Sequence, residues 1–123
     1  MALITEKRRA GSALVSEASG TRSRENIVVV SGQNLGACRV LGKITASGKH
    51  TALNPAASDG SQTAAGMLWG PTDATTGDKA AAAIVRDAEL NSLELDWGSL
   101  NSGQITTAKG QLAALGILVR EAI

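Results

Sequence analysis

The chain has no Phe and no Tyr, and it has only two Trp, two Pro, one Cys and one His. Each shortage removes a class of explanation. Few side chains remain that bury the ~150–250 Å² an aromatic delivers, so the core must be built from small residues. A lone Cys38 excludes an internal disulfide framework and is expected to be a small buried hydrophobe. One histidine cannot supply a multi-histidine metal site. No Cys, Asp or Glu spacing around His50 matches zinc or calcium ligation, and an exposed turn position is expected for it. No apolar run approaches the ~20 residues that span a bilayer. Met1 to Arg9 places its charges after Leu3 and Ile4 with no apolar core behind them, which is not a secretory signal. Use without export through a membrane is the expectation.

Charge of either sign is also scarce in excess. The formal net charge is +1, which excludes a strongly basic nucleic-acid binder and a strongly acidic tail protein. Residues 1–26 hold Lys7, Arg8, Arg9, Arg22 and Arg24 against Glu6, Glu17 and Glu25, five against three, or +2; the remainder is therefore −1. A mildly basic N-terminal segment precedes a nearly neutral body.

What is present reads as short strands. With 123 residues the chain fits one domain that buries about two-thirds of its unfolded surface. Its core is rich in alanine and glycine, so association is expected to supply part of the stability. Ile27 to Val30, Arg39 to Thr45, Lys49 to Leu53 and Thr63 to Trp69 are β-branched or small and bounded by turn residues. Gly66 marks a bulge or a close backbone approach. Residues 71–78 read as loop. Lys79 to Arg86 is ambiguous, since four alanines favour helix while Ile84-Val85 and the strand order favour β; a strand is expected. Glu94-Leu95-Asp96-Trp97 reads as the end of a further short strand, closed by Gly98. Ile105, Ala108, Leu112 and Leu115 then fall on one face of a helix, with Ser102 as its N-cap and Gly116 at its C-terminal end. Gly116 to Val119 returns as a strand.

Residues 1 to about 26 lack periodicity, and their apolar pieces Leu3-Ile4 and Ala13-Leu14-Val15 are too specific for a spacer. They read as an arm that orders against a partner by strand addition or groove docking. The junction with the body is placed near Asn26, giving an arm over 1–26 and a β-rich body over 27–123.

The sequence carries few groups arranged for chemistry. Ala37 to Ile44 is the nearest miss to a phosphate loop, but Ile44 stands where Ser or Thr must hold magnesium. There is no Gly-x-Ser-x-Gly elbow. Asp87, Glu89, Glu94 and Asp96 alternate with apolar residues as the wet face of a strand does. Two alternatives stay open. Lys79 beside Asp78 between β segments is compatible with the modified lysine of lipoyl and biotinyl carrier domains. The basic residues of the arm are compatible with nucleic-acid binding, although no arm residue offers a ring for a base to stack on.

Three stretches carry a resemblance. They are Val40 to Trp69, Ala83-Ile84-Val85-Arg86-Asp87-Ala88-Glu89, and Gly116-Ile117-Leu118-Val119-Arg120. With Leu14 to Glu25 as an N-terminal arm, they resemble, in order, the tailed-bacteriophage head decoration protein family (lambda head protein D-like). That resemblance implies a mainly β fold: a compact β-clip or barrel-like domain of short strands, one C-terminal helix and an extended N-terminal arm. It implies a homotrimer on the outer surface of the expanded head, at three-fold and quasi-three-fold sites. There the arms contact the major capsid protein and the trimer resists the pressure of packaged DNA. No catalysis, cofactor, metal, nucleic acid or membrane enters that role. The arm residues expected at the capsid are Leu14, Val15, Ser16, Glu17, Arg22, Ser23, Arg24, Glu25, Ile27 and Val28. Leu41, Ile44, Met67, Trp69, Trp97, Leu112 and Leu115 are expected in the body core or the trimer interface.

Overall fold

The computed structural model describes residues 9–121. In chain order its elements are β1 (Leu14–Glu17), β2 (Arg24–Val29), β3 (Asn34–Leu35), β4 (Val40–Lys43), β5 (His50–Ala52), β6 (Ala64–Leu68), β7 (Thr72–Asp73), β8 (Lys79–Ile84), β9 (Ala88–Asn91), α1 (Ser102–Ala114) and β10 (Ile117–Arg120). Strands β2, β5, β4, β6 and β8 close into a barrel in that order. Strands β1, β9 and β10 form a separate three-stranded sheet, and β3 pairs with β7. The fold is mainly β with one C-terminal helix, as the sequence led us to expect.

Strands β4 and β6 are short apolar runs because both of their faces are covered. Leu41, Leu68 and Ala83 point into one cluster with Ile27 and Val29. Their chain neighbours Val40, Met67 and Ile84 point the other way, into a larger cluster with Leu90, Leu112 and Ile117. The period-2 alternation of a strand therefore sends one side chain inside the barrel and the next beneath the helix and the second sheet. Cys38 is fully buried in this larger cluster. The helix is held over β6 in part by Gln111, whose side-chain oxygen accepts a bond from the Ala64 amide at 2.8 Å.

Close backbone packing explains two glycines. At Gly66 (φ +153°) the register of β6 on β4 slips by one residue, Leu41 facing Gly66 and Gly42 facing Ala64. A side chain at 66 would strike the Ile84 carbonyl, and one at 42 would strike the Ser61 backbone. The bulge expected at Gly66 is present.

Several expectations need correction. His50 is buried at 6 % exposure, not in an exposed turn. It begins β5, paired with Val29 on one side and Lys43 on the other, and so lies within the barrel wall. Glu94 to Trp97 is a turn touching β structure only through one Arg39–Asp96 bridge. The supposed loop over 71–78 includes β7. Asn101, not Ser102, caps α1: its side chain accepts from the Gln104 amide at 2.9 Å, and Gln104 returns a bond to the Asn101 amide at 3.1 Å. The reciprocal pair is a capping box. The junction placed near Asn26 falls inside β2, which runs against β8 from Arg24↔Ile84 to Val29↔Lys79. Lys79 to Arg86 is a strand over Lys79–Ile84, as expected. Among the described residues no helix is long and apolar enough to cross a membrane.

Candidate functional site

The residues expected to meet a partner fall on two adjoining features, a docked N-terminal segment and a groove at one end of the barrel. The segment is held by local sequence and by the body together. Strand β1 lies antiparallel to β9, with a bulge between Leu14 and Ser16. The turn that follows is closed by Ser23, which is fully buried. Its hydroxyl donates to the Asp87 carbonyl at 2.8 Å and accepts from the Ala18 amide at 2.9 Å. Burial of this small hydroxyl is possible because both of its roles are satisfied.

Arg24 is fixed in the same way. Its guanidinium makes two 3.0 Å bonds to the Glu17 carboxylate and lies 4.0 Å from the centre of the Trp69 ring. A forked ion pair and a cation–π contact share one side chain. The Glu17 bond holds the Arg24 pKa above its ordinary value. Trp69 also receives Gly11, whose amide donates to the Trp69 carbonyl at 2.9 Å.

Other expected arm residues divide by exposure. Val15, Ser16, Arg22, Glu25 and Val28 are exposed, Leu14 is half-buried against the larger cluster, and Ile27 is buried at the barrel end. Ser16 donates to Glu89 at 2.7 Å, and Arg22 pairs with Asp87 at 3.3 Å. Among the residues expected in the core or at an interface, Leu41, Met67 and Leu112 are buried and Ile44 is half-buried. Trp69 and Trp97 are half-buried against the larger cluster. Leu115 caps the helix C-terminus and is 37 % exposed.

The groove has a volume of about 820 Å³ and is lined from Glu25 to Val28, by Lys43 and His50, and by Ala64, Ala65, Val85, Arg86 and Leu115 among others. Thus Glu25, Ile27 and Val28 of β2 and the distant Leu115 meet around one depression. Glu25 is paired with Arg86, which also donates to the Arg22 carbonyl at 2.6 Å. Lys43 forms no ion pair among the described residues. The His50 imidazole sits below its ordinary pKa, first because it is buried and then because of the nearby Lys43 charge, with Glu25 opposing. Its Nδ1 is buried without a hydrogen-bond partner. Lys43 and His50 were not foreseen as site residues. Their only signal was their place at two strand ends flanking the Ser47-Gly48 turn.

Lys79 starts β8 in register with Val29 inside the barrel wall, which is not the tip of a hairpin that a carrier domain presents. Arg22 and Arg24 are already neutralised by Asp87 and Glu17, which weakens the nucleic-acid alternative. Among the described residues no cluster of His, Cys, Asp and Glu is placed to hold a metal ion.

The described residues thus form a closed barrel of small residues with ion pairs spread over its surface. The sequence model of the family described as Bacteriophage lambda head decoration protein D matches residues 3–117, and the chain belongs to that family. It is a structural, non-enzymatic component of the phage virion, located at the capsid surface, with a role in decorating and stabilising the head. No curated protein matches the chain.

Proposed function

We propose that the chain acts as a homotrimer that cements the expanded head at three-fold and quasi-three-fold sites. In this reading the N-terminal segment up to the start of β2 makes the main contact with the major capsid protein, and the β-rich remainder of the chain, β2 included, forms the trimerising body. The observation that supports it best is the outward display of Val15 at 43 % exposure on β1, next to a turn that carries Arg22. An apolar residue on an edge strand beside a basic residue suits strand addition to a capsid sheet. One such contact is weak because it orders side chains and backbone. Three arranged by matching symmetry act at high effective concentration, and avidity then exceeds a single affinity by ~10²–10⁴.

Removing all of residues 1–26 would also remove β1 and half of β2, so a gentler test is needed. A chain lacking residues 1–8 and a Val15→Glu chain are each compared with the parent by analytical ultracentrifugation and by co-sedimentation with expanded capsids. The expected result is an unchanged trimer mass with capsid binding reduced at least tenfold. Full decoration by both variants, or a monomeric parent, refutes the proposal.

A further inference from the structure

We propose that the groove at the barrel end is a second capsid-docking site, which takes a short segment of the major capsid protein bearing a carboxylate between apolar side chains. This rests on the capsid being the partner, and it concerns the body of the protein instead of its N-terminal segment. The charge balance of the groove favours an anion. Glu25 is already paired with Arg86, whereas Lys43, on the same rim, has no ion pair among the described residues. An incoming carboxylate gains a charge-assisted bond there without displacing an existing one.

His50 marks the same place independently. It faces Lys43 across the β4–β5 ladder, it is more than nine-tenths buried, and its Nδ1 has no partner. A buried polar atom left unsatisfied in a native fold calls for a reason, and this one belongs to a residue that lines the groove. The walls set the flanking chemistry. Val28 and Leu115, two of the exposed large hydrophobics, border the groove with Val85 and Ala65. About 820 Å³ lies within the ~300–1,000 Å³ of sites that enclose a compact ligand, which suits a short peptide and not a broad domain face. One unpaired cation and no exposed ring for a base to stack on make a poor nucleic-acid site. The groove also adjoins the docked N-terminal turn, because Arg86 binds both Glu25 and the Arg22 carbonyl. A capsid segment crossing that turn is led into it.

The test uses the full chain with Lys43→Glu and Leu115→Ser, each measured for trimer mass, melting temperature and co-sedimentation with expanded capsids, beside the chain lacking residues 1–8. Expected is at least a tenfold loss of capsid binding in each groove variant, with mass and melting unchanged, and retention of binding by Lys43→Arg. If the deletion weakens binding while both groove variants bind as the parent does, the groove proposal alone fails. If the parent itself ignores capsids, the cementing role fails with it. A groove variant that loses its trimer mass identifies the occupant as a second copy of this chain, and that also overturns the proposal.

Discussion

Gly11 lies flat against the indole of Trp69, donating its amide to the Trp69 carbonyl at 2.9 Å. Its φ is +68°, and any Cβ placed there would run into the ring. Only glycine satisfies both conditions. The Arg24 guanidinium lies over the same ring, so a single tryptophan joins β2 to the start of the described chain. Trp69 was expected in the core or at a subunit boundary. Its half-buried place shows a third use, as the surface on which the N-terminal segment is laid.

Loss of that surface should be measurable. Trp69→Ala is expected to cost ~3 kcal/mol, the low end for a large aromatic because the ring is only half-buried. In a chain of this size that lowers the melting temperature by roughly 10 °C. Gly11→Ala should also lower it, while Gly77→Ala, which meets nothing within 4 Å, should not. Thermal melts at one fixed protein concentration decide the matter, since association shifts the midpoint by mass action. Equal melting of all three variants and the parent would remove the clasp from the account.

His50 gives the fold a pH dependence of definite sign. Burial and the Lys43 charge lower its folded pKa below the ordinary 6.5. The unfolded chain therefore binds the proton more readily, and stability falls as pH drops below about 6.5 toward the folded value. Above 6.5 the contribution is fully present. The carboxylates of Asp59, Asp78, Glu89 and Glu121 are also held low, the first by Ser61, the second by Lys49, the third by Ser16 and the fourth by Lys109. Their losses begin only below their ordinary values of 3.8 to 4.5, so the two windows separate. Chemical denaturation between pH 7 and pH 5 should show the decline in the parent and a flatter profile in His50→Gln. A parent profile flat over that range would contradict the assignment.

How far the sequence could carry this reading depended on where each residue finds its partner. Strands β4 and β6 were legible because both faces of each are largely buried, so Val40-Leu41 and Met67-Leu68 stand as unbroken apolar pairs, whereas the alanines of β8 left helix and strand open until its pairing with β2 and β6. The helix was legible from Ala108 and Leu112. Strand β1 was not, because Ser16 and Glu17 look like loop until Glu89 and Ala88 lie opposite them. Strand β9 showed only as the alternation of Asp87 and Glu89 with Ala88 and Leu90, without its bounds, and β3 and β7, two residues each, leave no periodicity to detect. Glu94 to Trp97 misled in the other direction. Its alternation resembles a strand, but Asp96 bonds the Gly98 amide and the Trp97 indole bonds the Ser92 carbonyl, which fold it into a turn. The groove was invisible for a simple reason: its walls come from several elements separated in the chain.

Gly42 offers a test of the barrel closure. Its backbone faces the Ser61 backbone so closely that a Cβ would overlap the Ser61 carbonyl, and Ser61 is itself held by the Asp59 carboxylate through its amide at 3.0 Å and its hydroxyl at 2.5 Å. The strand cannot yield without breaking its pairing with β5 or β6. Gly42→Ala should therefore cost ~1–3 kcal/mol as overpacking, read by denaturant titration. A cost near zero would mean that the 59–61 turn moves aside freely.

Gly110 predicts the opposite sign and reports on assembly at the same time. It sits within α1, is exposed, and a Cβ there would meet nothing within 4 Å in the single chain. Glycine in a helix interior is less favourable than alanine by ~1 kcal/mol, so Gly110→Ala should raise stability by ~0.5–1 kcal/mol and the melting temperature by a few degrees. That gain requires the helix face to remain open in the assembled protein. Were another subunit to cover it, the added methyl would meet that neighbour, and the substitution would lower the melting temperature or the trimer mass instead. Melting and sedimentation of this one variant thus separate a solvent-facing helix from one that forms part of the subunit boundary, and the open face is the outcome expected from its exposed Thr106, Thr107 and Ala113 neighbours.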